Sequence, residues 1–434
     1  MIEHKPPALQ AIAAQIAGYD PKSLPVAQAQ AFIDRLVPRV QAVEMLALRS
    51  ALGRVLARDI VSGIDVPSHD NSAMDGYALR ADELSADADT VLRVAGSGFA
   101  GLAFGGSAGR GECVRIMTGA VMPAGLDTVA PQEFVCVEGD RVRVPAGVVR
   151  GGDNRRLAGE DLAKGEVALA AGRVLRPADL GLLASLGQGE VPVLRRLRVA
   201  FFSTGNELRS IGEPLDAGCV YDSNRYTLWG MLQRLGVELL DLGVVRDDPA
   251  ALAAAFRAAA RDADAVITSG GVSVGEADHT KQVMAELGDV LFWRIAMRPG
   301  RPMAIGRIAT HPDGTGHHAI LFGLPGNPVA VMVTFYALVR DALLAMSGAT
   351  PQPLPMLRAS SLEAIRKKPG RTEYQRGIVA RAADGRWQVR ITGSQGSGIL
   401  RSMSQANGLV VLHHDQGDVA AGDAVDVLPF DGLI

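Results

Sequence analysis

The sequence predicts a multidomain α/β plus β protein: a central three-layer α/β domain with a mostly parallel sheet, a β-rich inserted domain, a discontinuous α+β domain and a C-terminal β barrel. Three observations lead there. Residues 197–348 alternate strand-like and helix-like segments, and residues 90–150 break into short β-rich runs around glycine clusters. Residues 351–434 offer short strands and turns but no long helix. At about 150 residues per domain, a chain of 434 residues has room for roughly three such bodies.

Taken in order, residues 1–24 hold Pro6, Pro7 and Pro21 around a short alanine-rich stretch and read as a loosely held arm. Two helix-like patterns follow, AFIDRLVPRV and the stretch 44–56. The runs TVLRVAG, TVAPQEFVCV and RVRVPAGVV, with a turn at Glu138-Gly139-Asp140, form a small β module. After it the pattern returns to a strand, EVALAAG, and a helix opened by Pro177. The module at 68–150 therefore interrupts a discontinuous domain made of 26–67 and 151–196.

Residues 197–350 form the α/β domain. Its strands are predicted at 199–203, 237–245, 263–267, 290–297 and 319–322. Within the helical stretch 223–235, Leu228, Met231, Leu232 and Leu235 follow helical spacing. Asp248 caps the next helix at 249–261. The helix at 328–346 is apolar nearly all round and is predicted to be buried. After the linker PQPLPML, turns at Asp384-Gly385 and Ala421-Gly422-Asp423 punctuate the barrel at 351–434.

Composition excludes several classes of function. The formal net charge of −3 argues against nucleic-acid binding through bulk positive potential. Cys113, Cys136 and Cys219 lie too far apart for a disulfide scaffold or a thiolate zinc site, and they suit a reducing compartment. No run approaches the ~20 apolar residues of a membrane span, and MIEHKPPALQ does not read as a signal peptide. The expectation is a cytoplasmic protein away from membranes. Six lysines against 38 arginines mark a background preference, so an arginine is weak evidence of special design.

Ligands of open α/β sheets bind beyond the carboxyl ends of the strands. Three glycine-bearing loops leave such ends: 204–207, 268–278 and 323–328. Glycine lets backbone N–H groups approach an anion, and a helix N-terminus adds partial positive charge. The ligand class they indicate is phosphate-bearing. Two segments are locally basic, 294–301 with Arg294, Arg298 and Arg301, and 366–376. On one strand Arg294 and Arg298 would share a face about 13 Å apart at ~3.3 Å per residue, a span for a ligand with several anionic groups; a solvated arginine face is the plainer alternative.

Asp75, Asp161, Glu207, Asp247 and Asp278 sit beside glycine or in loops, where carboxylates either hold Mg²⁺ near phosphates or merely cap helices and turns. Asp247-Asp248-Pro249 looks like an ordinary helix start. The pairs His317-His318 and His413-His414 have no companion ligands at metal spacing, and no nucleophile elbow or Ser-His-Asp order is present.

At these residues the chain resembles the molybdopterin molybdenumtransferase family, to which the C-terminal part of gephyrin belongs. The segments that carry the resemblance are DVP at 65–67, DNSAMDGYA at 70–78, RIMTGA at 115–120, GED at 159–161 and STGNEL at 203–208. They continue with YDSNR at 221–225, SGGVSVGEAD at 269–278, GLPGNP at 323–328, GRTEYQRG at 370–377 and QGS at 395–397. They run in family order from about residue 26 almost to the end.

The resemblance implies an elongated homodimer whose cleft lies between the inserted domain of one subunit and the last two domains of the other. It implies insertion of molybdate into adenylylated molybdopterin with release of AMP, dependent on Mg²⁺. By motif, Asp75, Thr118, Asp161, Glu207, Asp247 and Asp278 are the catalytic positions, with Asp247 and Asp278 holding the metal. Gly270, Gly271, Ser273, Gly275, Arg294, Arg298, Pro325, Gly326 and Asn327 would bind substrate, and Arg376 and Ser397 the molybdate oxyanion.

Positions 294 and 298 are more often lysine in that family. Arginine keeps the charge but replaces a point donor with a planar fork and cannot be deprotonated. Contact with the adenylyltransferase of the preceding step, or with proteins accepting the cofactor, is also implied. The rival readings are that adenylyltransferase itself, which shares the α/β core, and a non-catalytic molybdopterin-binding scaffold.

Overall fold

The computed structural model describes residues 8–272, 279–310, 317–352 and 354–430. The chain divides into two compact units: one of Met45–Leu52 and Leu56–Pro192, the other of Met1–Glu44, Gly53–Val55 and Val193–Ile434.

The first unit is built on a six-stranded sheet in the order Thr128–Pro131, Gly76–Leu79, Glu112–Ile116, Thr90–Gly98, Arg141–Val144, Cys136–Glu138. Side chains alternate across it with a period of two. Tyr77, Leu79, Cys113 and Val142 fill one face, while Ala78, Val114, Ile116 and Val129 fill the other. Both faces are thus buried, which is why its strands read as short apolar runs. A helix is predicted over 44–56, but Val43–Ala47 is a strand and Leu48–Ser50 a single 3₁₀ turn. Four of the five strand residues are exposed, so the segment buries no helical stripe, and Gly53 stops it at φ +72°.

In the second unit, two short helices, α1 (Leu9–Ala13) and α2 (Val26–Leu36), precede the α/β layer. That layer runs β1 (Arg198–Thr204), α3 (Ser223–Arg234), β2 (Glu238–Val245), α4 (Pro249–Asp262), β3 (Ala265–Ser269) and α5 (His279–Leu287). It continues with β4 (Gly288–Arg294), the short β5 (Met297–Arg298), β6 (Pro302–Ala309) and β7 (His318–Leu324). The sheet order is β2-β1-β3-β7-β6-β4. The pairs β1–β2, β1–β3 and β3–β7 are parallel, and β6–β7 and β4–β6 antiparallel. One face packs on α4 and α5 through Phe202, Phe256, Val266 and Met284; the other packs on α3 through Phe201, Leu228, Ile267 and Phe322.

The amino-terminal segment is not a loose arm over its described part. Leu9 and Phe32 are fully buried, and the Phe32 ring meets Trp293 edge-on at 5.0 Å between centroids. Trp293 donates its indole N–H to the Tyr19 hydroxyl at 2.7 Å. The segment also completes the hydrogen bonding of edge strand β4: Arg294 N–H donates to the Pro21 carbonyl at 2.8 Å and Leu24 N–H to the Arg294 carbonyl at 3.0 Å. Prolines break a helix without preventing the apolar residues between them from covering an edge.

The stretch Pro328–Met346, here α6, contains one π turn at Phe335–Val339 and is long and apolar enough by composition alone to cross a membrane. Its Val329, Val331, Phe335, Val339 and Leu343 are fully buried in the core of this unit. The barrel comprises β8 (Leu357–Ser361), β9 (Thr372–Arg381), β10 (Trp387–Ile391), a helix α7 (Leu400–Gln405), β11 (Gly408–Leu412) and β12 (Ala424–Pro429). The order β9-β10-β8-β12-β11 closes through β9–β11, and β5 adds to β9 from outside.

Candidate functional site

Four loops leave the carboxyl ends of β1, β2, β3 and β7 and converge on a cavity of about 970 Å³. They bring Thr204, Gly205, Glu207, Leu208, Asp247, Ser269 to Gly271 and Pro325 to Asn327 to its wall; Asn224 comes from the start of α3. The opposite wall is Arg298–Pro302 and, from the barrel, Gln395–Ser397. The close approach of the loops demands glycine. Gly270 sits at φ +95°, and a Cβ there would lie 2.5 Å from the Thr204 carbonyl oxygen; at Gly271, φ +67°, it would lie 2.5 Å from Thr280.

Asp247 is not the helix cap. That role belongs to Asp248, whose carboxylate accepts from Ala251 N–H at 2.9 Å. The backbone N–H of Asp247 donates to Asn206 Oδ1 at 3.3 Å, and its own Oδ1 is buried with no hydrogen-bond partner among the described residues. A buried carboxylate oxygen left without a donor is costly, and it is the hard ligand that Mg²⁺ takes. Among the described residues no group of three or more His, Cys, Asp or Glu converges as a cation cage.

Arg298 and Arg301 face the cavity, but Arg294 does not line it. The parity argument from the sequence fails because β4 ends at Arg294: Ile295 bridges to Leu24, and Met297 N–H turns back to the Ile295 carbonyl at 2.8 Å. Arg301 belongs in the site and was missed, although it lies in the same acid-free basic segment. The second basic segment is not a free positive face. Lys367 is buried and donates to the carbonyls of Lys368, His414 and Gln416, while Arg371 pairs with Glu373 at 2.7 Å.

Arg376 lies wholly inside the protein. Its Nε donates to Ser402 Oγ at 2.9 Å, Nη1 to the Gln395 carbonyl at 3.3 Å, and Nη2 to the Ser394 and Gly396 carbonyls at 3.3 and 2.9 Å. Burial, then the nearby charge of Arg298, pushes its pKa down to about 10. The expected oxyanion donor is thus turned toward its own loop, because four carbonyl and hydroxyl oxygens compete for the same fork. Ser397 does reach the cavity, and its carbonyl accepts from Val329 N–H at the start of α6 at 3.1 Å.

Asp75, Thr118 and Asp161 belong to the first unit. The Asp75 carboxylate accepts from the Thr118 backbone N–H at 2.8 Å and its hydroxyl at 2.7 Å. Those two bonds hold its pKa below the usual carboxylate value. Asp161 is exposed. Glu207, Gly270, Gly271, Pro325, Gly326 and Asn327 meet in the cavity. Ser273, Gly275 and Asp278 lie outside the described residues. Besides Arg301, the sequence reading assigned no role to Ser269, Asn224 and Gln395; Asn224 follows a recognisable N-cap, Asp222, and both it and Gln395 lie in the YDSNR and QGS segments that could have pointed to them.

Three family models cover most of the chain: the MoeA N-terminal region (domain I and II) over residues 24–187, the probable molybdopterin binding domain over 200–345, and the MoeA C-terminal region (domain IV) over 358–430. The chain is 41% identical over 408 residues to the molybdopterin molybdenumtransferase of Haemophilus influenzae, covering 94% of this chain and 98% of that one. It is 36% identical over 405 residues to the protein of the same name from a Nostoc species, covering 91% of each. A crystal structure of the molybdopterin biosynthesis moeA protein from Pyrococcus horikoshii superposes with a TM-score of 0.79 at 29% identity, over 94% of this chain and 100% of that one.

Proposed function

The chain belongs to the molybdopterin molybdenumtransferase family, and from that premise we propose that it inserts molybdate into adenylylated molybdopterin with release of AMP, the last step of molybdenum cofactor biosynthesis. It is a transferase of that biosynthesis. The observation that supports the finer reading is the cavity at the carboxyl ends of the parallel strands. It combines glycine loops, two arginines on its wall and a carboxylate oxygen with no donor among the described residues.

The glycine loops offer backbone N–H groups at the close range a diphosphate requires. Arg298 and Arg301 neutralise anionic oxygens as the phosphoanhydride opens, and Arg298, as a planar fork, can hold two oxygens at once. Asp247, with Asp278 by family resemblance, would hold Mg²⁺ against the phosphates, where the ion supplies charge neutralisation of the leaving AMP. The Ser397 hydroxyl donates to an incoming oxyanion, while Arg376 shapes the loop that presents it. Glu207 orients water or ligand hydroxyls at the β1 loop. Asp75, kept ionised by Thr118, and Asp161 contribute carboxylates by the same resemblance. The proposal includes a homodimer, which analytical ultracentrifugation tests.

Purified protein is expected to release AMP from adenylylated molybdopterin only when molybdate and a divalent cation are both supplied. Consumption of ATP with bare molybdopterin would replace this reading with the adenylyltransferase. Tight pterin binding with no turnover would replace it with a scaffold.

A further inference from the structure

Asn224 is the second residue of α3 and 8% exposed, and its Nδ2 donates to Ser269 Oγ and to the Gly326 carbonyl, both at 2.7 Å. Its amide orientation is settled by chemistry. The Gly326 carbonyl can only accept, so the nitrogen must face it. One side chain therefore joins the end of β3, where its loop begins, to the loop after β7. The two loops meet directly as well, where Gly270 N–H donates to the Leu324 carbonyl at 3.1 Å. Asn224 itself is fixed by the helix start, where Asp222 accepts from Arg225 N–H at 3.1 Å.

We propose that Asn224 is a positioning residue that sets the spacing of these two glycine loops, so that their backbone donors meet the phosphate-bearing ligand together. This rests on the reading of the cavity as a diphosphate site. The second donor hydrogen matters because the Ser269 hydroxyl can donate or accept, whereas the Gly326 carbonyl can only accept, so Asn224 must donate to it. A carboxylate at the same place would turn lone pairs toward that carbonyl and push the loops apart. The same group protonated could donate to Gly326 again, and burial beside a carbonyl raises the pH at which it protonates.

Asn224→Asp and Asn224→Ala, made in the full chain, test this through two measurements. The first is amide hydrogen exchange of ligand-free protein over residues 268–272 and 324–327. Both variants should exchange at least tenfold faster than the parent at pH 8 after correction for intrinsic rates. Only Asn224→Asp should return to within threefold at pH 5.5. The second is AMP binding by calorimetry, where affinity should fall at least tenfold in both and recover on acidification only in Asn224→Asp. Unchanged exchange in Asn224→Ala, or faster exchange with unchanged AMP affinity, would overturn the proposal, and so would the absence of recovery in a folded Asn224→Asp. If that variant does not fold, Asn224→Ala decides alone. A parent protein that binds no AMP refutes the diphosphate reading of the cavity, while the exchange measurement still decides whether Asn224 spaces the loops.

Discussion

The guanidinium of Arg376 donates through Nη2 to the Gly396 carbonyl at 2.9 Å, one residue before the serine that reaches the cavity. The most buried cation of the barrel thus acts on the ligand wall through a loop. Arg376→Met should lower the unfolding free energy by about 2–4 kcal/mol, because several buried acceptors lose a charged donor at once. Urea denaturation followed at Trp387 of the barrel checks it. Arg376→Lys should recover less than half of the loss, since an ammonium cannot span the Ser394, Gln395 and Gly396 carbonyls.

The Asp75 carboxyl should titrate below the ordinary Asp value, because the Thr118 N–H, then its hydroxyl, favour the charged form. Asp75 therefore stays ionised to lower pH than an unperturbed aspartate carboxyl. Thr118→Val keeps the backbone bond and removes the hydroxyl, so the titration should move up part of the way. Carbon-detected NMR of the carboxyl resonance measures both, and an unshifted curve in the variant would contradict the assignment.

Asp247→Asn should reduce the rate of AMP release roughly 10–100-fold at a fixed cation concentration, the usual loss for a metal ligand or the group that orients it. Its half-saturating Mg²⁺ concentration should rise, while thermal stability should hold or increase, since an unpaired buried carboxylate oxygen is relieved. A rate loss without any change in Mg²⁺ dependence would place Asp247 outside cation binding.

The Arg195–Asp264 pair predicts a pH dependence of stability. Burial opposes ionisation of Asp264, but the two bonds from Arg195 at 2.7 Å and the Arg198 N–H at 2.8 Å outweigh it and depress its pKa. A folded pKa below the unfolded one stabilises fully above pH ~4 and is lost as pH falls through the folded value. Asp264→Asn should cost about 2 kcal/mol at pH 7, and that cost should shrink as the pH falls below the ordinary Asp range toward the folded pKa. Denaturation across that pH range checks the sign.

Phe32→Ala should destabilise the second unit by about 3–5 kcal/mol, the cost of emptying a fully buried aromatic site. Tyr19→Phe leaves the Trp293 indole N–H without its acceptor and should cost about 1–3 kcal/mol. Proteolysis of the amino-terminal segment, slow in the parent, should accelerate in both variants.

Local pattern made much of the α/β layer legible. The i, i+3, i+4, i+7 spacing of Leu228, Met231, Leu232 and Leu235 marks α3, and Asp248 before Pro249 marks the start of α4, because each signal lies within one turn of its effect. The glycine loops were legible for the same reason: backbone that must approach closely or adopt positive φ leaves glycine in the text. The segment 44–56 was misread since its apolar residues fit two periods and only burial distinguishes them. The amino-terminal segment was misread because its partner, Trp293, lies more than 250 residues away in the chain.

What the sequence by itself determined is the set of available groups: the arginines of 294–301, the carboxylates beside glycine and the strand-end loops. The tertiary structure alone decided which of them share a space. It turned Arg376 inward and ended β4 at Arg294, leaving Arg298 and Arg301 as the arginines that line the cavity. It also left the Oδ1 of Asp247 buried with no hydrogen-bond partner among the described residues. A hydrogen bond or a buried charge depends on distances of about 3 Å between residues far apart in the chain, and no spacing along the chain encodes them.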